Sequence, residues 1–143
     1  MTTDEIKAFI TRFIDLWQHE NLPALVDCYT ENARIESPMF HTVQNRAEIE
    51  KSFRSLFGAF DEWAFQVDDI LIDRGPEDRA VVVYTAHVTH RGDLFGVPGT
   101  GRRVESSGAL ILRFENGRIV SERRLYDFTG LLVQLGVLKA RAV

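Results

Sequence analysis

The stretch SERRLYD, residues 121–127, brings Arg123, Arg124 and Asp127 to the end of one predicted strand, just before the Leu-rich segment GLLVQLG. A carboxyl group beside an apolar wall has its pKa raised toward neutrality, which makes Asp127 a candidate general acid or base. A guanidinium in the same place can hold a carboxylate or enolate oxygen, a role open to Arg123 or Arg124. The plain alternatives are a helix cap for Asp127 and a solvated or dimer-facing ion-pair edge for the two arginines. His90 ends another predicted strand, in phase with Val82, Tyr84, Ala86 and Val88, and imidazole suits proton transfer near neutral pH. Arg91 and Asp93 follow it as a second charged pair, whereas the phase of His41, after Pro38, is not readable. His87 and His90 fall on opposite faces of their strand, so no metal site is expected. Cys28, inside LPALVDCY, reads as a buried helix position rather than a nucleophile.

These groups need elements to position them. Thr2 and Glu5 form a capping box, and Ile6, Phe9, Ile10, Phe13 and Trp17 recur at helical spacing, predicting a helix that ends near His19. Asn21 and Pro23 open a shorter helix, ARIESP reads as a brief strand stopped by Pro38, and Asn45 with Glu48 caps a third helix bearing Ile49, Phe53, Leu56, Phe57 and Phe60. From Trp63 the apolar period becomes two. AVVVYTAHVTH and RVESSGALILRF are strands, and Asn116-Gly117 is the strongest hairpin signal in the chain. GVPGTGRR has the glycine spacing of a phosphate loop but lacks its Lys and Ser/Thr and precedes a strand, so it is a hairpin connection.

Helices followed by strands predict an α+β domain spanning 1–143, with helices covering one face of a curved antiparallel sheet and a short C-terminal helix. Three or four short helices cannot fill the concave side, so an apolar cavity is expected, lined by Phe13, Trp17, Phe53, Phe57, Trp63, Tyr84, Leu110 and Leu112. A net charge of −4 with no long basic run argues against nucleic acid. No apolar stretch is long enough to span a bilayer and the acidic N-terminus is unlike a secretory signal, so a cytoplasmic setting is expected.

HRGDLFGVPGTGRRV, RFENGRIVSERRLYD and GLLVQLG together resemble the SnoaL-like polyketide cyclases, a branch of the nuclear transport factor 2 superfamily, over residues 4–138. The resemblance implies a cone-shaped, barrel-like α+β fold, a deep pocket for a hydrophobic small molecule, frequent homodimers, and ring closure by proton transfer without metal or cofactor. It also implies that the catalytic Asp of the last strand is replaced by Arg124, the assisting His by Leu110, a nearby Gln by Gly108 and a pocket Asn by Ser37. Arg124 cannot relay protons, since a guanidinium stays charged. The related limonene epoxide hydrolase pattern puts its Arg-x-Asp pair on Arg91 and Asp93, with its second Asp again at Arg124. That of ketosteroid isomerase puts its base at Ser37 and its phenol at Phe13.

Two readings of the last strand compete. Simple pairing about Asn116-Gly117 sets Leu110 opposite Arg123 and Ser106 opposite Asp127, turning Arg123 and Asp127 inward and Arg124 outward beside Glu122. The family comparison puts position 124 in the pocket, and a β-bulge between Glu122 and Leu125 would reconcile the two. Three functions remain open: a cofactor-free cyclase, isomerase or hydrolase, a non-catalytic binding module, and an epoxide-hydrolase-like enzyme.

Overall fold

Thr2 starts the first helix as the residues demand. In a computed structural model describing residues 1–139, its hydroxyl accepts from the Glu5 amide and the Glu5 carboxylate accepts from the Thr2 amide. Helix α1, Thr3–Gln18, turns Ile6, Ile10, Phe13, Ile14 and Trp17 into the core. Helix α2, Leu22–Asp27, is capped by Asn21 and carries proline in its first turn, where a missing amide costs nothing. Helix α3, Arg46–Ala59, is capped by the Asn45 side chain and buries Ile49, Phe53 and Leu56.

The six strands are β1 (Tyr29–Ser37), β2 (His41–Gln44), β3 (Phe60–Arg74), β4 (Asp78–His90), β5 (Arg103–Glu115) and β6 (Arg118–Tyr126), followed by helix α4, Phe128–Gln134. They form one curved, unclosed sheet in the order β2-β1-β6-β5-β4-β3. Strands β3 to β6 are the expected antiparallel meander. The sheet as a whole is mixed, because β1 runs parallel to β6, Ile35 lying against Glu122 and Glu36 against Arg123. β2 folds back on β1 after the turn at Pro38, a short edge strand that sequence periodicity does not reveal.

Alternation along β4 and β5 buries Ala80, Val82, Tyr84, Ala86 and Val88 beside Val104, Leu110, Leu112 and Phe114, all against the helices. Aromatic rings join the two layers: Phe9 meets Phe114 edge-on at 5.0 Å, and Trp17 meets Phe53 at 5.0 Å and Trp63 at 5.3 Å. Each such ring contributes about 1.5–3 kcal/mol by burial. Cys28 ends α2 with its thiol buried and donating to the Ala24 carbonyl, and burial raises the thiol pKa, so it is poorly suited to attack.

Candidate active site

The turn at Asn116-Gly117 has the form expected of a two-residue hairpin, both residues adopting positive φ, 54° and 75°. Phe114 pairs with Ile119, but the next pair is Arg113 with Ser121, so Val120 is an extra residue on β6. This bulge lies earlier than the position between Glu122 and Leu125 that would have reconciled the two readings, and it reverses the side-chain phase of everything after it. Leu112 therefore faces Glu122, Leu110 faces Arg124 and Gly108 faces Tyr126. Glu122 and Arg124 are buried. Arg123, Leu125 and Asp127 are exposed, which corrects the inward orientation that simple pairing assigns to Arg123 and Asp127.

Arg124 and Glu122 form an ion pair at 2.5 Å between Nε and Oε2, with side-chain exposures of 6% and 0%. Tyr29, from the start of β1, donates its hydroxyl to the other Glu122 oxygen at 2.6 Å. The guanidinium packs over two mutually touching aromatic rings, its Cζ 4.9 Å from the Trp17 ring centre and 5.1 Å from that of Phe53. Burial opposes the charge on Arg124, yet Glu122 and Tyr29 outweigh it and keep the guanidinium protonated. Its Nη2 atom is buried without a hydrogen-bond partner.

Above this pair is a cavity of about 70 Å³. Its walls are mainly Trp17, Leu56, Phe60, Trp63, Phe65, Tyr84, Ala86, Val88 and Leu110, and Met39, Phe40, Tyr126 and Leu131 bound it from the β1–β2 turn, the end of β6 and α4. Among the described residues, Arg124 is the one charged residue in the lining. The hydroxyls of Tyr84 and Tyr126 lie near Ser106 and Ser37 respectively. All three tyrosines of the chain have raised pKa values, and in each burial is the leading cause; Tyr84 is pushed up to about 12.

A phenol whose pKa is higher in the folded than in the unfolded protein stabilises the fold fully below the unfolded value of 10.0, and that contribution disappears as pH rises to the folded value of about 12. A spectrophotometric titration of phenolate absorbance, with circular dichroism followed in parallel, is therefore expected to show little ionisation at pH 10, then a cooperative rise coincident with unfolding. Independent ionisation of any tyrosine near 10 in the folded protein contradicts this packing.

Of the eight residues expected to line a cavity, Trp17, Trp63, Tyr84 and Leu110 do so. Phe13, Phe53 and Leu112 are fully buried in the core, and Phe57 packs on Trp17, Phe53 and Trp63 without joining the lining. His90 is fully buried outside the lining, its ring 5.4 Å from Phe60; the Thr100 amide donates to Nδ1, and Nε2 has no partner. Arg91 and Asp93 do not pair with each other: Arg91 bonds Asp61 and Glu62 at 3.2 and 3.0 Å, and Asp93 accepts from the Gly96 amide. Among the described residues no three metal-ligating side chains converge. Sequence reasoning missed Tyr29 and Glu122. The signal was present as the spacing Glu122-x-Arg124-x-Tyr126, which alternates like a strand face, but only a bulge turns that face inward.

Asp127 caps α4, its carboxylate accepting from the Gly130 amide at 2.8 Å. Asp127→Asn is accordingly expected to leave stability and ligand binding almost unchanged, and Asp127→Ala to cost about 1 kcal/mol with binding intact. Thermal denaturation and ligand titration of both variants check it, and a loss of binding in the Asn variant would return Asp127 to the site.

A helix-covered, curved sheet with an apolar chamber over a buried ion pair defines a cone-shaped α+β pocket protein. The chain belongs to the SnoaL-like domain family, whose sequence profile matches residues 10–122. No curated protein matches the chain. Among solved structures, AclR from Streptomyces galilaeus, provisionally assigned as a hydroxylase, is 27% identical, with a TM-score of 0.82 over 97% of this chain and 89% of its own. TsrD from Streptomyces laurentii is 21% identical, with a TM-score of 0.82 over 96% and 99%. A SnoaL-like protein from Jannaschia sp. CCS1, provisionally assigned as a polyketide cyclase, is 16% identical with a TM-score of 0.82 over 95% and 94%. At the latter two identities the likeness is one of fold. Among the described residues, no helix is long and apolar enough to cross a membrane.

Proposed function

We propose that this protein binds one hydrophobic, oxygenated small molecule in the chamber and activates it for proton transfer without a cofactor, as a cyclase or isomerase would. The observation that carries this reading is Nη2 of Arg124, a buried donor without a partner among the described residues, in a residue lining a mainly apolar cavity. A carbonyl oxygen resting on that guanidinium would be polarised, and the adjacent C–H bond made more acidic. Water beside the ligand would take that proton and later return one to the same carbon, while the neutral Tyr84 hydroxyl, in the lining, donates to the enolate oxygen; His90, behind Phe60 and outside the lining, does not reach the ligand. Asp127, Arg123, Arg91 and Asp93 have no part in it. Proton exchange is the direct test. A monocyclic ketone incubated with the protein in D2O should gain deuterium beside its carbonyl, and Tyr84→Phe should slow that gain.

A second reading, a non-catalytic binding module, is favoured by one observation: among the described residues, no carboxylate or imidazole lines the cavity. Retention of the ketone with no deuterium gain would decide for it. The same proposal takes the protein as a cytoplasmic homodimer joined through the outer sheet face, where Leu71 and Leu125 are exposed near Val81, Val83 and Ile111. Sedimentation at micromolar concentration should give twice the chain mass of 16.3 kDa.

A further inference from the structure

Two buried polar atoms in residues that line the chamber have no hydrogen-bond partner, Trp17 Nε1 and Arg124 Nη2. Both are donors only: an indole N–H cannot accept, and neither can a guanidinium. The Tyr84 and Tyr126 hydroxyls, which can donate or accept, lie near Ser106 and Ser37. An occupant that satisfies the two unpartnered donors must therefore bring acceptor lone pairs. A carbonyl and a carboxylate both meet this requirement, and so donor count alone does not separate them.

Charge separates them. The positive charge of Arg124 is already neutralised by Glu122, which is 1% exposed and bound at both oxygens, by Arg124 Nε and by Tyr29. Among the described residues, no other charged side chain lines the cavity. An incoming carboxylate would leave one net negative charge in a mainly apolar cavity, an arrangement that proteins avoid because desolvation of an uncompensated ion is costly. A neutral carbonyl accepts the same hydrogen bonds and leaves the site neutral. The small volume, about 70 Å³ against roughly 150 Å³ for a cavity that holds benzene, makes one ring the upper limit, seated with some widening of the chamber.

We infer that Glu122 is the specificity-determining residue of this chamber, making it select small neutral carbonyl compounds over carboxylates of the same shape. Glu122 does not touch the ligand; it acts by cancelling the charge of the residue that does. The inference rests on the reading of the chamber as a ligand site and names the class of ligand it takes.

Three one-ring probes of similar size test it: acetophenone, benzoate and ethylbenzene, titrated at neutral pH against the tryptophan fluorescence of Trp17 and Trp63, both in the lining. Acetophenone is expected to bind at least about tenfold more tightly than either of the others, since each tenfold is the scale of one satisfied hydrogen bond to a charged group. In Glu122→Gln, which keeps an acceptor for Tyr29 but removes the negative charge, benzoate should gain at least about tenfold relative to acetophenone as Arg124 becomes uncompensated. Benzoate binding as tightly as acetophenone in the native protein overturns the inference, as does ethylbenzene matching acetophenone. An unchanged ratio in a folded Glu122→Gln overturns the role of Glu122. If that variant does not fold, the native ratio decides. Failure of all three probes to bind would instead refute the chamber as a ligand site, and the inference with it.

Discussion

Arg124→Met is expected to lower stability by about 3–5 kcal/mol, a fall of roughly 10–20 °C in melting temperature for a chain of this size. The loss does not measure the worth of an ion pair. Removing the guanidinium leaves Glu122 charged, 1% exposed and held by Tyr29 alone, and an uncompensated buried carboxylate is far more expensive than a pair is favourable. The guanidinium also packs on both Trp17 and Phe53, so its removal takes packing from both rings. The discriminating comparison is the triple variant Tyr29→Phe, Glu122→Leu, Arg124→Met, in which no polar group is left without a partner. It should recover most of the lost stability, since well-packed apolar replacements of a buried pair are often neutral or better. Denaturant unfolding of the single and triple variants measures both. A cost under about 1 kcal/mol for Arg124→Met would mean that water reaches Glu122, contrary to its burial.

Gly108→Ala should cost about 3 kcal/mol, at the upper end of what overpacking usually does. A Cβ there would lie 2.1 Å from the Leu125 carbonyl oxygen and 3.1 Å from the Tyr84 hydroxyl. The first contact is with backbone of the neighbouring strand, which cannot yield without opening the β5–β6 ladder that carries Glu122 and Arg124. The second contact holds Tyr84 away from its place on the cavity wall. Ligand affinity should therefore fall together with melting temperature, whereas Thr2→Ala, at the far end of the molecule, should cost about 1 kcal/mol and leave affinity alone. Equal stability of native and Gly108→Ala protein would show that the two strands can separate there.

Much of this fold was legible residue by residue. Thr2 with Glu5, Asn21 and Asn45 each mark a helix start, because short polar side chains at those positions satisfy amides that the helix cannot. Asn116-Gly117 marks the hairpin because both residues tolerate positive φ. Less was legible of the site. Four of the eight expected lining residues lie in the cavity wall, the rest behind it, since a helical stripe or strand face shows which residues turn inward but not how deep each sits. Asp127 carried a chemical motive and proved to be a cap, and Arg91 and Asp93 sat two residues apart in sequence while bonding different partners.

Local spacing, caps and apolar periodicity determined the element types, the helix-then-sheet class and the placement of an oily face on both layers, because those features depend on interactions within a few residues. The parallel joining of β1 to β6, the bulge at Val120 and the meeting of Tyr29 with Glu122 were decided only by the tertiary structure. One extra residue in a strand changes no local preference, yet it exchanges the two faces of everything beyond it. Arg124 was thereby turned into the core and Asp127 out to solvent, according to which register buried the most apolar surface and left the fewest polar groups unpaired.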